Sequence, residues 1–158
     1  MNTAKRTLLT AAIAAAAIAA TAQDNITFKG SVITLAPASE PVRIHLLAGG
    51  LERAVSVSAN GNFKFTVREG ETVTMRSVCN GFVEKQVLID ARNANERRAK
   101  NRVISFDVEL EAQDEYEGLY HPNPAGQLAF ADGTGRLLVA YDNTILRLNN
   151  HPLIAAAP

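Results

Sequence analysis

Three observations predict an all-β protein, built as a single antiparallel β-sandwich of about seven strands with a C-terminal hairpin extension. Apolar and polar residues alternate with period two from Asn25 to Leu110. Asn60-Gly61 and Asn80-Gly81 stand between alternating runs, as turn pairs do in hairpins. No stretch of that region carries a helical apolar stripe of comparable quality. Short strands with one apolar face each hide those faces by packing as two sheets around a shared core.

In chain order, residues 1–22 read as an export signal and are set aside from the fold. Lys5 and Arg6 give a positive start, Leu8 to Ala20 is an apolar run, and Ala20-Thr21-Ala22 supplies the small residues of a cleavage site before Gln23. The run is shorter than the roughly 20 residues that cross a bilayer and is interrupted by Thr10. No Cys at the cleavage point invites a lipid. Cleavage would leave residues 23–158, enough for one core without metal or disulfide staples.

The mature chain then alternates strand by strand. Ile26, Phe28 and Val32 share a face, as do Val42, Ile44 and Leu46, and Val55 with Val57. Phe63-Lys64-Phe65-Thr66-Val67-Arg68 is apolar inward and polar outward at every step, and Val73, Met75 and Cys79 repeat the pattern. Arg68-Glu69-Gly70 reads as a turn, and Pro37 and Pro41 bracket a loop. Val83, Val87 and Ile89 face inward, with Lys85 interrupting them, which predicts a strand at or near an edge, where the charge reaches water. Ala91 to Asn101 is a basic connection, and six of the eleven residues from Asp107 to Glu117 are acidic, so the two runs neutralise each other locally. Ile104, Phe106, Val108 and Leu110 complete the seventh strand.

After Leu110 the alternation stops. The expected organisation is a signal peptide over 1–22, the sandwich over 23–111, a linker over 112–126, and an extension over 127–158 packed on the sandwich. The extension reads as a hairpin with Leu128 and Phe130 on one arm, a turn at Asp132-Gly133-Thr134-Gly135, and Leu137, Val139 and Tyr141 on the other. Asp142 is placed to cap a short helix through Leu148. A lone hairpin is marginal in water, so this one should dock on the sandwich or on a partner.

Composition excludes several functions. Sixteen Lys+Arg balance sixteen Asp+Glu in the 158 residues, and loss of Lys5 and Arg6 would leave −2, so no basic excess serves nucleic acid. One Cys allows neither an internal disulfide nor a multi-cysteine metal site. His45, His121 and His151 have no His or Glu at zinc-peptidase spacing and read as three unrelated surface histidines. No Gly-x-Ser-x-Gly elbow, calcium loop or phosphate-cradling glycine loop occurs. Cys79 reads as a packing residue, not a stabilised thiolate. No catalytic residue, metal ligand or cofactor site is expected.

The run from Ile26 to Leu110 resembles a carboxypeptidase regulatory-like domain, a transthyretin-like (prealbumin-like, Ig-like) sandwich common in envelope proteins of gram-negative bacteria. The matching residues are Gly30-Ser31-Val32, Asn60-Gly61-Asn62-Phe63-Lys64-Phe65, Asn80-Gly81-Phe82-Val83-Glu84-Lys85-Gln86-Val87 and Ile89-Asp90-Ala91-Arg92. Pro124-Ala125-Gly126-Gln127-Leu128-Ala129-Phe130 resembles an extension that often follows such domains. Ala91 stands where Thr is common, and Leu35 to Pro41 does not match. The resemblance implies a non-catalytic role, since the zinc peptidase domain such sandwiches accompany is absent. Two expectations follow: an exported adaptor that contacts another envelope protein, or a carbohydrate-binding module. It would be periplasmic, on the outer surface or secreted, and without a membrane span once the signal is removed. Sugar sites favour exposed aromatics with polar neighbours, and Tyr116 and Tyr120 are the residues placed for such contact.

Overall fold

The computed structural model describes residues 24–94, 102–113 and 118–147, so residues 1–22, read above as an export signal, and the basic residues Arg97, Arg98 and Lys100 lie outside the described residues. The strands are β1 Asn25–Thr34, β2 Arg43–Ala48, β3 Leu51–Val55, β4 Asn62–Arg68, β5 Thr72–Val78, β6 Lys85–Asp90, β7 Val103–Ser105, β8 Val108–Leu110, β9 Leu119–Tyr120, β10 Gly126–Phe130, β11 Leu137–Tyr141 and β12 Leu146–Arg147. They form an all-β sandwich. One sheet runs β4-β1-β7, with β8 also on β1, the other runs β11-β10-β6-β5-β2-β3, and β9 pairs with β12 separately.

The alternation read from the sequence is the alternation of burial. β4 reads exposed-buried throughout, with Phe63, Phe65 and Val67 inside. β1 buries Ile26, Phe28 and Val32, β2 buries Ile44 and Leu46, and β5 buries Val73 and Met75. Phe28 stacks on Phe65 with centroids 5.5 Å apart, and Phe63 meets Phe106 edge-on at 5.4 Å. These offset and T-shaped contacts suit the ring quadrupoles and lock the small sheet's inner face.

Not every pairing is antiparallel. β1 runs parallel to β7 and β8, and β10 runs parallel to β6. These partners are far apart in the chain, and side-chain alternation carries no strand direction. Short turns suggest antiparallel neighbours throughout, and that inference holds only for strands joined by them.

The seventh strand is interrupted rather than continuous. Its two halves keep one register on β1, from Thr27↔Val103 to Thr34↔Leu110, and break at Phe106-Asp107. There the Phe106 carbonyl lies 1.6 Å from where a Cβ on Gly30 would sit, so only glycine fits. The neighbouring Ser31 donates its backbone N–H and its hydroxyl to the Asp107 carboxylate, at 2.8 and 2.7 Å. The hydroxyl and then the amide hold that carboxyl below the usual range. A side chain thus replaces the missing rung of the ladder.

The turns differ in detail. Ser58 N–H donates to the Asn62 carbonyl and Gly61 N–H to the Ser58 carbonyl, so the loop is Ala59-Asn60-Gly61, with Gly61 at φ 78°. That is the three-residue form with glycine left-handed in last place, not the expected two-residue hairpin. It leads out of β3 in one sheet into β4 in the other, which are joined by the Val57↔Phe63 bridge and by Arg53 donating to the Thr66 carbonyl at 3.1 Å. Gly81 also has positive φ, at a turn closed by Phe82 N–H on the Cys79 carbonyl.

β6 is central, between β5 and β10, and not an edge strand. The expectation failed because β10, far along the chain, takes the edge beside it. Nor does Asp142 cap a helix: its carboxylate accepts from Thr144 N–H at 3.0 Å, and the chain goes on to pair Leu146 with Tyr120. Among the described residues there is no helix. Leu148 lies outside them.

Gly30→Ala should force the Phe106 carbonyl out of place and lower stability by about 1–3 kcal/mol, as overpacking does. Urea unfolding of the purified variant measures it, and an unchanged midpoint would refute the close approach.

Candidate interaction surface

The C-terminal segment is built into the sandwich. β10 lies on β6 from Gly126↔Val87 to Ala129↔Asp90 and buries Leu128 and Phe130 in the core. Arg102 sits over the Phe130 ring at 4.7 Å and donates to the carbonyls of Ala94 at 2.7 Å and Gly135 at 2.6 Å. Asn93 donates to the Phe130 carbonyl. Ala91 and Ala94, which the sequence places in a polar connection, are buried in the core beside them.

A second fastening is polar. Lys85 keeps its inward parity and is almost fully buried, donating to the Glu109 carbonyl at 2.6 Å and to Glu111 Oε1 at 2.7 Å. The same corner is stitched by Val83 N–H on the Glu111 carbonyl and Gln113 N–H on the Gly81 carbonyl. His121 is not a surface histidine: its side chain is 3 % exposed. Its Nδ1 lies 3.0 Å from the Thr144 carbonyl, which can only accept, so Nδ1 carries a proton. Nε2 then faces Glu111 Oε2 at 3.7 Å, and neither atom has a hydrogen-bond partner. The expectation failed because the His121-Pro122 pair suggests a loop but does not show what folds over it. Burial pushes the Glu111 carboxyl up; the Lys85 hydrogen bond, a backbone hydrogen bond and the nearby positive groups outweigh it and hold the carboxyl below the usual range.

β11 lies at the open end of the large sheet. Leu137 is partly buried, while Leu138, Val139 and Tyr141 are exposed by 49, 46 and 79 %. Beneath it runs a groove of about 320 Å³ whose lining includes Lys85, Val87, Phe106, Leu128, Val139 and Tyr141. The β10–β11 ladder is bracketed by Ala131 N–H on the Arg136 carbonyl and Asp142 N–H on the Ala125 carbonyl. Bonded and non-bonded pairs alternate, so Leu138 and Ala140 bond to β10, while the backbone groups of Leu137, Val139 and Tyr141 point outward. Among the described residues nothing pairs with that outer edge.

The other edges are protected. β3 carries Glu52 and Arg53, and β4 carries Lys64 and Arg68. β7 and β8 are three residues each, and β8 includes Glu109. Leu137–Tyr141 has no charge, proline or glycine. Natural sheets blunt such edges unless something covers them.

Tyr116 lies outside the described residues. Tyr120 is 39 % exposed on β9, and the residues lining the groove include Tyr141 rather than Tyr120. The parity of Tyr141 was legible, but that no strand among the described residues lies above it was not. A usable signal was the uncharged run between Arg136 and Asp142. Cys79 is buried with Sγ 3.4 Å from the Glu40 carbonyl; burial and then Glu40 push its thiol up, against Arg43. His45 pairs with Glu52 at 2.7 Å on the outer face, and His151 lies outside the described residues. Among the described residues no three His, Cys, Asp or Glu side chains converge to hold a metal, and no helix is long and apolar enough to cross a membrane. No protein-family model and no curated protein matches the chain.

A carboxyl lowered in the folded state contributes stability above its unfolded pKa, and that stability is lost as pH falls through the folded value. Glu111→Gln should therefore be less stable than the parent at about pH 7, with the gap narrowing as pH falls through and below the ordinary glutamate range. Denaturant midpoints across that range test this, and a constant gap would remove Glu111 from the acid response.

Proposed function

We propose that the protein is a non-catalytic, exported module of the cell envelope, structural or adaptor in kind, that engages a protein partner through β11. The observation that carries this reading is the uncharged, unpaired apolar edge of β11, beside three edges that are short or charged. Its outward backbone groups offer main-chain hydrogen bonds, and the groove below offers a place for alternate side chains of an added strand. The resemblance of Ile26–Leu110 to carboxypeptidase regulatory-like sandwiches supports a non-catalytic role. The stretch of residues 1–22 supports export, to the periplasm, the surface or the medium.

Deleting residues 119–158 is not a clean test, since it would strip Leu128 and Phe130 from the core. Val139→Pro is cleaner: it removes a donor that faces outward and leaves the β10 ladder in place. Crosslinking in intact cells followed by mass spectrometry should join the parent protein to its partner, and Val139→Pro should abolish that crosslink while its melting profile stays unchanged. A crosslink that persists in the variant would refute β11 as the binding edge.

A second reading, carbohydrate binding, is favoured by Tyr141, exposed at the groove beside Gln127 and Asn143. A glycan array should then give a signal that drops in Tyr141→Ala and persists in Tyr120→Ala, whose side chain lies away from the groove. Silence from the parent protein removes the reading.

A further inference from the structure

We infer that the partner seated on β11 is a second copy of this chain, paired antiparallel about a two-fold axis at Val139. This rests on the reading of β11 as the contact edge and names its occupant. The strand is self-complementary about its centre. Arg136 and Asp142 each stand three residues from Val139, and both share the face of Leu138 and Ala140. Antiparallel pairing centred on Val139 sets Arg136 of one copy opposite Asp142 of the other, twice over. A shift of register by one pair loses that match, so the charges select the centred arrangement.

The backbone agrees. The groups of Leu137, Val139 and Tyr141 that point away from β10 are those a centred pairing needs: Val139 meets Val139, and Leu137 meets Tyr141. Leu138 falls opposite Ala140 on the outer face, and Tyr141, the most exposed of the strand's large apolar residues, gains an apolar neighbour across the axis. The interface is isologous and closes on itself, joining two six-stranded sheets into one whose outer edges are the two charged β3 strands.

Sedimentation velocity on the purified protein should show a concentration-dependent dimer. Arg136→Glu alone and Asp142→Lys alone should each weaken it by about tenfold or more, since opposite charges become like ones at both ends. An equal mixture of the two variants should restore it. One end of the mixed pair then keeps the native Arg136–Asp142 match, and the other carries the same match with its two signs exchanged. Asp142 also holds the Thr144 turn, so a second test avoids it. Val139→Cys should form an intermolecular disulfide with diamide, since a hydrogen-bonded pair holds its Cα atoms about 5.5 Å apart. Leu51→Cys, on the opposite edge, should not. A parent protein that stays monomeric, or a mixture that fails to recover the dimer, overturns the inference. If Val139→Pro still abolishes crosslinks to other envelope proteins in cells, the adaptor reading stands without the dimer.

Discussion

The inner face of a six-stranded sheet needs cover, and the sheet opposite is three lanes wide, because β7 and β8 share one side of β1. Most of what is particular to this molecule follows from that mismatch. Where the two sheets overlap, Phe28, Phe63, Phe65, Met75 and Ile89 pack into a dry core. Where they do not, the chain must close the gap by other means or leave apolar surface open to water. Both outcomes occur at the β6–β10–β11 end.

Closure is achieved by polar groups as well as apolar ones. Lys85 sits at an inward position of a central strand and meets Glu111 and the Glu109 carbonyl there. Ion pairs with one partner buried are weak stabilisers against a well-packed apolar alternative, but they penalise arrangements that leave the buried partner alone. Here the pair fixes the corner where residues 81–83 run beside 111–113. His121, pinned by Thr144, lies against the same carboxylate and ties the C-terminal segment to that corner. The terminal hairpin is therefore part of the sandwich and not an appendage.

What remains open is β11. Its inner residues follow the inward parity of the sheet, yet with no strand above them among the described residues Val139 and Tyr141 form the wall of a groove instead of a core. Its outer backbone groups are unpaired among the described residues, and its five residues carry no charge to discourage pairing. A strand with those properties at the rim of an otherwise guarded fold is suited to protein contact, and the flanking Arg136 and Asp142 would give the proposed contact a direction.

Alternation alone determined which side chains are buried in β1, β2, β4, β5 and β8, because a pleated strand has two faces whatever it pairs with. It also located Cys79 in the core and both arms of the final hairpin. The Asn-Gly pairs marked where the chain turns, but not the turn's length or the strands it joins, since those depend on the sheet waiting on the other side. Strand order, the parallel placement of β10 on β6, the burial of His121 and the exposure of Tyr141 were decided by the tertiary structure. Each depends on a neighbour distant in the chain, and a period of two residues records which way a side chain points without recording what stands in front of it.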